Sequence, residues 1–457
     1  MDHIELKPNA IEPQKRDYEF VVHTFGCKVN TYDTGLIQKN LQTNGFAVTT
    51  EKKNNAIHVL NTCAVTSEAT QQAVRLARKI KSKEPLATVV VTGCAAQVDT
   101  QTFENLSGVD LVVANSHKGL LPQILDQYFK KQIDQKVFKS NIFRKDDLEA
   151  DGGHEKSHTR SFLKIQDGCN SFCTFCIIPY ARGKSRSIPM REIVNKIKSL
   201  EQQDVKEVVL TGVHIGDYED VVGVKKNQLE DLVEYVLKQT KIGRIRLSSL
   251  EPIELSDRLV ELFKDSRLCP HFHMSIQSAD TDVLANMKRK YTEQDVRLSL
   301  EKIKDKVPGA FVGMDVIAGF PTETDEQFEN TFKVLSETAW TRLHVFPYSE
   351  RQGTRAATLS QVSMMKRKER AQRLRELSLH RLQAESLKQV GSTKKILVLN
   401  KPAKSYDGVT QDYWNVKLSS NSQSLENFKN QEVEVKIISV HVEEGGTDVV
   451  LIGEFAL

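Results

Sequence analysis

The chain alternates short apolar runs with longer stretches in which apolar residues recur every three or four positions. "YEFVVHTFGC", "AIHVLNTC", "ATVVVTGC" and "GVDLVVANS" each read as a buried strand running into a loop. Between them, "DTGLIQKNLQTNG" and "SEATQQAVRLARKIKSKEP" carry helical spacing. In the second, Ser67 is the expected N-cap, Glu68 lies in the first turn and basic residues come late. Strands alternating with helices build βαβ units around a parallel sheet, so residues 18–142 are expected to form a doubly wound, Rossmann-like α/β domain.

The rhythm continues over residues 161–360, with "SFLKIQ", "KEVVLTG", "RIRLSS", "HFHMSIQ", "AFVGMDVIAGF" and "TRLHVFPYS" as strands about one βα unit apart. That spacing predicts a full or partial (β/α) barrel of roughly six units. Residues 361–390 then form a basic helical connector, "MMKRKERAQRLRELSLHRLQAESLKQV", with leucines at helical intervals. From 391 to 457 the period shortens to alternating strands, "KKILVLN", "YWNVKLS", "EVEVKIISV" and "TDVVLIGEF", which predict a small all-β module of OB-like size. Residues 143–160, "FRKDDLEADGGHEKSHTR", are charged and aperiodic and read as a linker, with a long surface loop as the alternative. Residues 1–17 form a polar tail without the apolar core of a signal peptide. No apolar run is long enough to cross a bilayer, so a cytoplasmic protein without membrane attachment is expected.

Composition sharpens this only in places. A chain of 457 residues exceeds one compact core and fits about three domains. Its net charge of +4 says little about partners, so any case for nucleic acid must come from local patches. Seven cysteines in a reducing compartment point to metal binding or catalysis rather than disulfides.

Three of them, Cys169, Cys173 and Cys176, lie within "GCNSFCTFC". Structural zinc sites close with four protein ligands, whereas here the next histidine is His214 and no second cysteine pair follows in this domain, so zinc would need a recruited partner. A redox pair of Cys173 and Cys176 leaves Cys169 unexplained. Three clustered thiolates suit a [4Fe–4S] cluster with one iron left open. The loop follows the first barrel strand, at the face where such barrels carry their active sites.

This CxxxCxxC spacing, with Phe175 before the last cysteine, resembles the radical S-adenosylmethionine superfamily. The resemblance implies that S-adenosyl-L-methionine chelates the open iron and is cleaved by one electron to methionine and a 5′-deoxyadenosyl radical. Cys27, Cys63 and Cys94 each end a predicted strand of the first domain. Strand C-termini of a parallel sheet share one edge, so these three can converge, and they are expected to hold a second, auxiliary [4Fe–4S] cluster. Three separate core cysteines is the alternative, and Cys269, before Pro270, is assigned to the core.

Two three-cysteine sites on this domain order resemble the methylthiotransferases, over nearly the whole chain. The motifs carrying the resemblance are "GCKVNTYDT", "NTCAVT", "TGCAAQ", "DGCNSFCTFCIIPYARGKSRS", "TGVHIGDY", "SSLEP", "GMDVIAGFPTET" and "HVFPYSERQGTRA". The C-terminal module then corresponds to the family's TRAM domain, which helps bind RNA. Lys28-Val29 in "GCKVN" resembles the branch acting on N6-threonylcarbamoyladenosine at position 37 of tRNA; the isopentenyladenosine branch usually reads Gln-Met there. That substrate is the expectation, with isopentenyladenosine 37 or a ribosomal-protein aspartate as alternatives within the family. A zinc-containing RNA-binding protein is the non-enzymatic alternative.

The resemblance implies that one S-adenosyl-L-methionine methylates sulfur associated with the Cys27/Cys63/Cys94 cluster. A second, on the Cys169/Cys173/Cys176 cluster, gives the radical that removes hydrogen from C2 of the adenine. It also implies tRNA with its anticodon stem-loop as partner, an electron donor such as flavodoxin or ferredoxin, and a sulfur source. Phe175 is expected beside the cofactor's adenine, with Thr211, Gly212, Ser249, Glu251 and Gln277 as cofactor neighbours by position. Arg182, Lys184, Arg186, Lys288, Arg289, Lys290 and the basic helix at 366–381 are the candidate phosphate contacts, against the alternative of solvated faces. Tyr413 and Trp414 are candidates for base stacking, with core packing favoured. The chain departs from the family pattern at Ala279 and Thr322, where glycine is usual.

Overall fold

The computed structural model describes residues 18–49, 55–145, 148, 159–400, 406–419, 425–443 and 448–456. The polar tail and most of the linker lie outside these residues. The chain divides into two compact units, one of Met1–His154, Asp167–Asn170 and Cys176–Arg186, the other of Glu155–Gln166, Ser171–Phe175 and Ser187–Leu457.

The first unit is built on six parallel strands: β1 (Glu19–Thr24), β2 (Ala47–Val48), β3 (Ile57–Thr62), β4 (Thr88–Gly93), β5 (Leu111–Ala114) and β6 (Val137–Phe138). They lie in the order β2-β1-β3-β4-β5-β6, a doubly wound sheet. Both faces are covered. Phe20, Ile57, Val59, Val90 and Leu111 pack into one core, while Leu60, Val89, Val91 and Val112 pack into the other. Burial on both faces explains why these strands read as continuous apolar runs. Helices α1 (Lys28–Thr43), α2 (Ser67–Lys83) and α3 (Cys94–Val98) follow β1, β3 and β4. The N-cap of α2 is Thr66, whose hydroxyl accepts from the Ala69 amide at 3.2 Å, one residue before the expected Ser67. A short helix, α4 (Ile178–Arg182), also belongs to this unit, and its Ala181 packs beside Ala95 and Ala96 of α3.

The second unit carries the barrel strands β7 (Arg160–Lys164), β8 (Glu207–Thr211), β9 (Arg244–Leu247), β10 (Ser249–Leu250), β11 (His271–Gln277), β12 (Phe311–Ala318) and β13 (Arg342–Pro347). They form two parallel runs, β9-β8-β7 and β10-β11-β12-β13, joined where the chain passes through Ser248 from β9 to β10. The result is a partial (β/α) barrel whose third strand is broken in two. Helices at Met190–Gln202, Leu229–Gln239, Glu293–Lys306 and Asp325–Glu337 cover its outer face.

The connector forms one helix, α5 (Met364–Leu387). Beyond it, β14 (Thr393–Val398), β15 (Gly408–Thr410), β16 (Asn415–Leu418), β17 (Glu432–Val442) and β18 (Val449–Phe455) close into a barrel in the order β14-β15-β16-β18-β17. Trp414, Val416, Val435 and Leu451 fill it, and Phe311 of β12 meets Trp414 edge-on at 5.0 Å. Trp414 is therefore core. The Tyr413 ring lies 4.2 Å from that of His271, tilted by 39°, under the Arg246 guanidinium. Among the described residues no helix is long and apolar enough to cross a membrane.

Candidate functional site

In the first unit the strand order reverses between β1 and β3, the place where open α/β sheets form a ligand crevice. Cys27 caps the start of α1 beyond β1, Cys63 follows β3, and Cys94 opens α3 after β4. Two of the three expected ligands thus flank the switch point, and the third stands on the next strand. Cys63 and Cys94 are buried, Cys27 is exposed, and none is in a disulfide. Gly26 holds φ +86°, and a Cβ there would lie 2.6 Å from both Cβ and Sγ of Cys63. Only glycine lets the Cys27 loop approach Cys63 this closely. Burial pushes the Cys63 thiol up to about 11, with nearby Cys94 adding to the shift and Arg182 opposing it. Three soft sulfur donors on one sheet edge fit an iron–sulfur cluster.

Arg182 lies in this site rather than on the surface. Its side chain is 3% exposed, with Nη1 donating to Asp167 Oδ1 at 2.9 Å and Nη2 to Asp33 Oδ2 at 3.1 Å. Lys118 donates to the same Asp33 oxygen at 2.9 Å. Burial would lower the pKa of Arg182, but Asp167, Cys94 and Asp33 raise it well above its ordinary value. The expectation that Arg182 contacts RNA phosphate is corrected: a buried, doubly paired guanidinium has no face to offer.

Cys169 and Cys176 belong to the first unit and Cys173 to the second. The Cys169 amide donates to the Gly183 carbonyl at 3.1 Å. Gly168, with φ +75°, has no room for a Cβ, which would meet the Lys184 carbonyl oxygen at 1.9 Å. In the second unit Cys173 is buried, and the neighbouring Thr174 amide donates to the Met287 carbonyl at 3.1 Å.

The expected cofactor neighbours gather at the C-terminal ends of the barrel strands. Thr211 ends β8 and Gly212 follows it, Ser249 and Glu251 lie on and just after β10, and Gln277 ends β11 with φ +61°. Phe175 meets Phe320 edge-on at 6.4 Å. Glu251 is already engaged: Arg289 Nη1 donates to it, and His214 Nε2 lies 3.6 Å away. Burial raises the Glu251 pKa, while Arg289 and His214 pull it down. The Arg289 guanidinium sits 5.7 Å from the Phe175 ring centre, so it faces the barrel mouth.

His214 and Glu254 were not expected among the site residues. The His214 ring bonds Glu254 and lies 3.2 Å from Asp217, while Gln166 Oε1 accepts from the His214 amide at 2.9 Å. The signal was present in "TGVHIGDY", where a histidine and an aspartate follow a strand end. Lys184, Lys288 and Lys290 are exposed. Arg186 is half-buried and donates to the carbonyls of Lys145 and Arg182 at 2.7 and 2.9 Å. The basic face of α5 is largely used internally: Arg367 pairs with Glu350, Arg370 with Glu323 and Asp325, and Arg373 with Glu329. Ala279 is fully buried, whereas Thr322 holds φ +70°.

Residues 163–335 match the Radical SAM superfamily, and residues 19–114 match Uncharacterized protein family UPF0004. The chain is 40% identical to threonylcarbamoyladenosine tRNA methylthiotransferase MtaB of Rickettsia prowazekii, covering 82% of this chain and 87% of that one. It is 37% identical to the protein of the same name from Aquifex aeolicus, over 82% and 92% of the two chains. With tRNA-2-methylthio-N(6)-dimethylallyladenosine synthase of Fusobacterium nucleatum it shares 33% identity, over 82% and 87%. In fold it is similar to the radical S-adenosylmethionine methyltransferase TsrM of Kitasatospora setae, solved with tryptophan and a cofactor analogue. That match has a TM-score of 0.56 at 12% identity and covers 96% of this chain and 86% of that one.

Proposed function

Because this chain belongs to the methylthiotransferase family of radical S-adenosylmethionine enzymes, we propose that it installs a methylthio group at C2 of N6-threonylcarbamoyladenosine, at position 37 of tRNA. The observation that carries the choice of substrate is the higher identity to threonylcarbamoyladenosine enzymes than to a dimethylallyladenosine enzyme. Lys28-Val29 beside Cys27 points the same way.

In this reading Cys27, Cys63 and Cys94 hold an auxiliary [4Fe–4S] cluster, and Cys169, Cys173 and Cys176 hold the cluster that binds S-adenosyl-L-methionine. When bound, these groups would supply one-electron cleavage of S-adenosyl-L-methionine, hydrogen-atom abstraction from an unreactive C–H bond, and the sulfur that replaces that hydrogen. The chain's own residues do the placing. Gly26 brings the Cys27 loop against Cys63. Phe175 and the Arg289–Glu251 pair present an aromatic face and a fixed polar edge at the barrel mouth. Exposed Lys288 and Lys290 supply phosphate contacts. A cytoplasmic location, an electron donor and a sulfur source complete the proposal.

The test uses anaerobically reconstituted protein with reductant and S-adenosyl-L-methionine. It is given tRNA bearing either threonylcarbamoyladenosine or isopentenyladenosine, and the digested nucleosides are read by mass spectrometry. Methylthiolated product from the threonylcarbamoyl tRNA alone is expected. Product from the isopentenyl tRNA alone would keep the reaction and reject the substrate.

A further inference from the structure

The stretch just after Cys176 braces all three auxiliary cysteines. Arg182 Nη2 donates to Asn30 Oδ1 at 2.6 Å. The Asn30 Nδ2 in turn donates to the carbonyls of Phe25 at 2.7 Å and Thr62 at 3.0 Å. Phe25 lies two residues before Cys27, and Thr62 immediately precedes Cys63. One residue back, the Ala181 carbonyl accepts from Asn115 Nδ2 at 2.9 Å, and that same nitrogen lies 3.7 Å from Cys94 Sγ. Two adjacent residues thus connect, each through one asparagine, to Cys94 itself and to the backbone just before Cys27 and Cys63.

Charge follows the same geometry. Arg182 and Lys118 face Asp33 and Asp167, a set that is neutral overall. Removing the guanidinium alone leaves one uncompensated negative charge beside the thiolates. Such a charge disfavours adding an electron to a cluster there, because fixed charge and hydrogen bonding set cluster potentials.

We propose that Arg182 is the positioning residue of the auxiliary site, holding the Cys27 and Cys63 loops through Asn30 and raising the reduction potential of the cluster they bind. The inference rests on the reading of Cys27, Cys63 and Cys94 as cluster ligands.

The test isolates that site in the full chain carrying Cys169→Ala, Cys173→Ala and Cys176→Ala, reconstituted with iron and sulfide and titrated with reductant under EPR. Arg182→Gln is expected to make reduction about tenfold less favourable, a downward shift of about 59 mV for one electron. Arg182→Lys keeps the charge but not the fork, so its potential should stay near the parent's while a chelator strips its iron faster. If both variants hold iron with the parent's potential and chelator resistance, the role of Arg182 is overturned and the cluster reading stands. If the parent triple variant binds no iron, both fall. If Arg182→Gln does not fold, Arg182→Lys decides: iron loss at the parent's rate rejects the brace.

Discussion

Arg246 and Glu207 form a buried bidentate ion pair between two barrel strands, with Nε to Oε1 at 3.0 Å and Nη2 to Oε2 at 3.2 Å. Burial would raise the Glu207 pKa, but Arg246, Arg160 and Arg244 bring it from 4.5 to about 2. Arg244 continues the network, pairing with Glu432 and donating to the Val409 carbonyl at 3.0 Å, so β9 is tied to the C-terminal barrel. Glu207→Gln should cost about 3–5 kcal/mol, because it strands buried guanidinium groups. The folded carboxylate binds its proton less readily than the unfolded one. Its stabilisation is therefore present above pH 4.5 and lost as pH falls towards 2. Thermal unfolding of both proteins across that window checks this: the variant's deficit should be full at neutral pH and shrink below pH 4.5.

The cysteines make a sharper contrast. Cys94→Ala should lose about half of the bound iron, and Gly26→Ala should do nearly the same without replacing a cysteine, because the added Cβ collides with the Cys63 side chain. Cys269→Ala should keep all of it. Cys269 is fully buried, and burial pushes its thiol up to about 11, the mark of an inert core cysteine. Iron and sulfide assays on anaerobic protein separate the three. Full iron in Cys94→Ala would remove the auxiliary site from the proposal.

Thr322 is β-branched and sits at φ +70°, a conformation that glycine adopts freely. Its amide donates to the Ser360 carbonyl at 3.0 Å, which holds the turn in place. Thr322→Gly should stabilise the folded protein by about 1 kcal/mol through relief of that strain. The measurement is the thermal midpoint, and a fall would mean that the threonine side chain earns its place. Ala279 carries no such strain, so of the two departures from the family pattern only Thr322 strains the backbone.

The order of elements was legible because burial on both faces of a parallel strand leaves an apolar run, as in "ATVVVTGC", which contains the fully buried β4; the alternating "HFHMSIQ" has the same limits as β11. The strand β15 escaped notice because Gly408–Thr410 offers a single large apolar residue, Val409. The placement of Cys63 and Cys94 directly after β3 and β4 was legible from the apolar runs that precede them. Arg182 was not: "YARGKSRS" looks like a basic surface loop, and while one counter-charge, Asp167, lies nearby, the other, Asp33, and the hydrogen-bond partner Asn30 lie far back in the sequence on α1. A local charge pattern does not reveal a partner some 150 residues away. The basic face of α5 misled in the same way, since its arginines meet carboxylates contributed by the barrel.

Three consecutive basic residues on the barrel rim should therefore divide by function. Lys288 and Lys290 are exposed, whereas the Arg289 side chain is 8% exposed and paired with Glu251. If the lysines contact tRNA phosphates, replacing each by Ala should weaken binding of every tRNA alike and lower the salt slope by about 1. Arg289→Gln should leave that slope unchanged. Instead it should weaken S-adenosyl-L-methionine binding about tenfold, roughly 1.4 kcal/mol, because Glu251 loses the partner that fixes it at the strand ends. Filter binding at several salt concentrations reads the first effect, and equilibrium dialysis of the cofactor reads the second. A salt slope that falls in Arg289→Gln with cofactor binding intact would place the guanidinium on the RNA and reject the inward assignment.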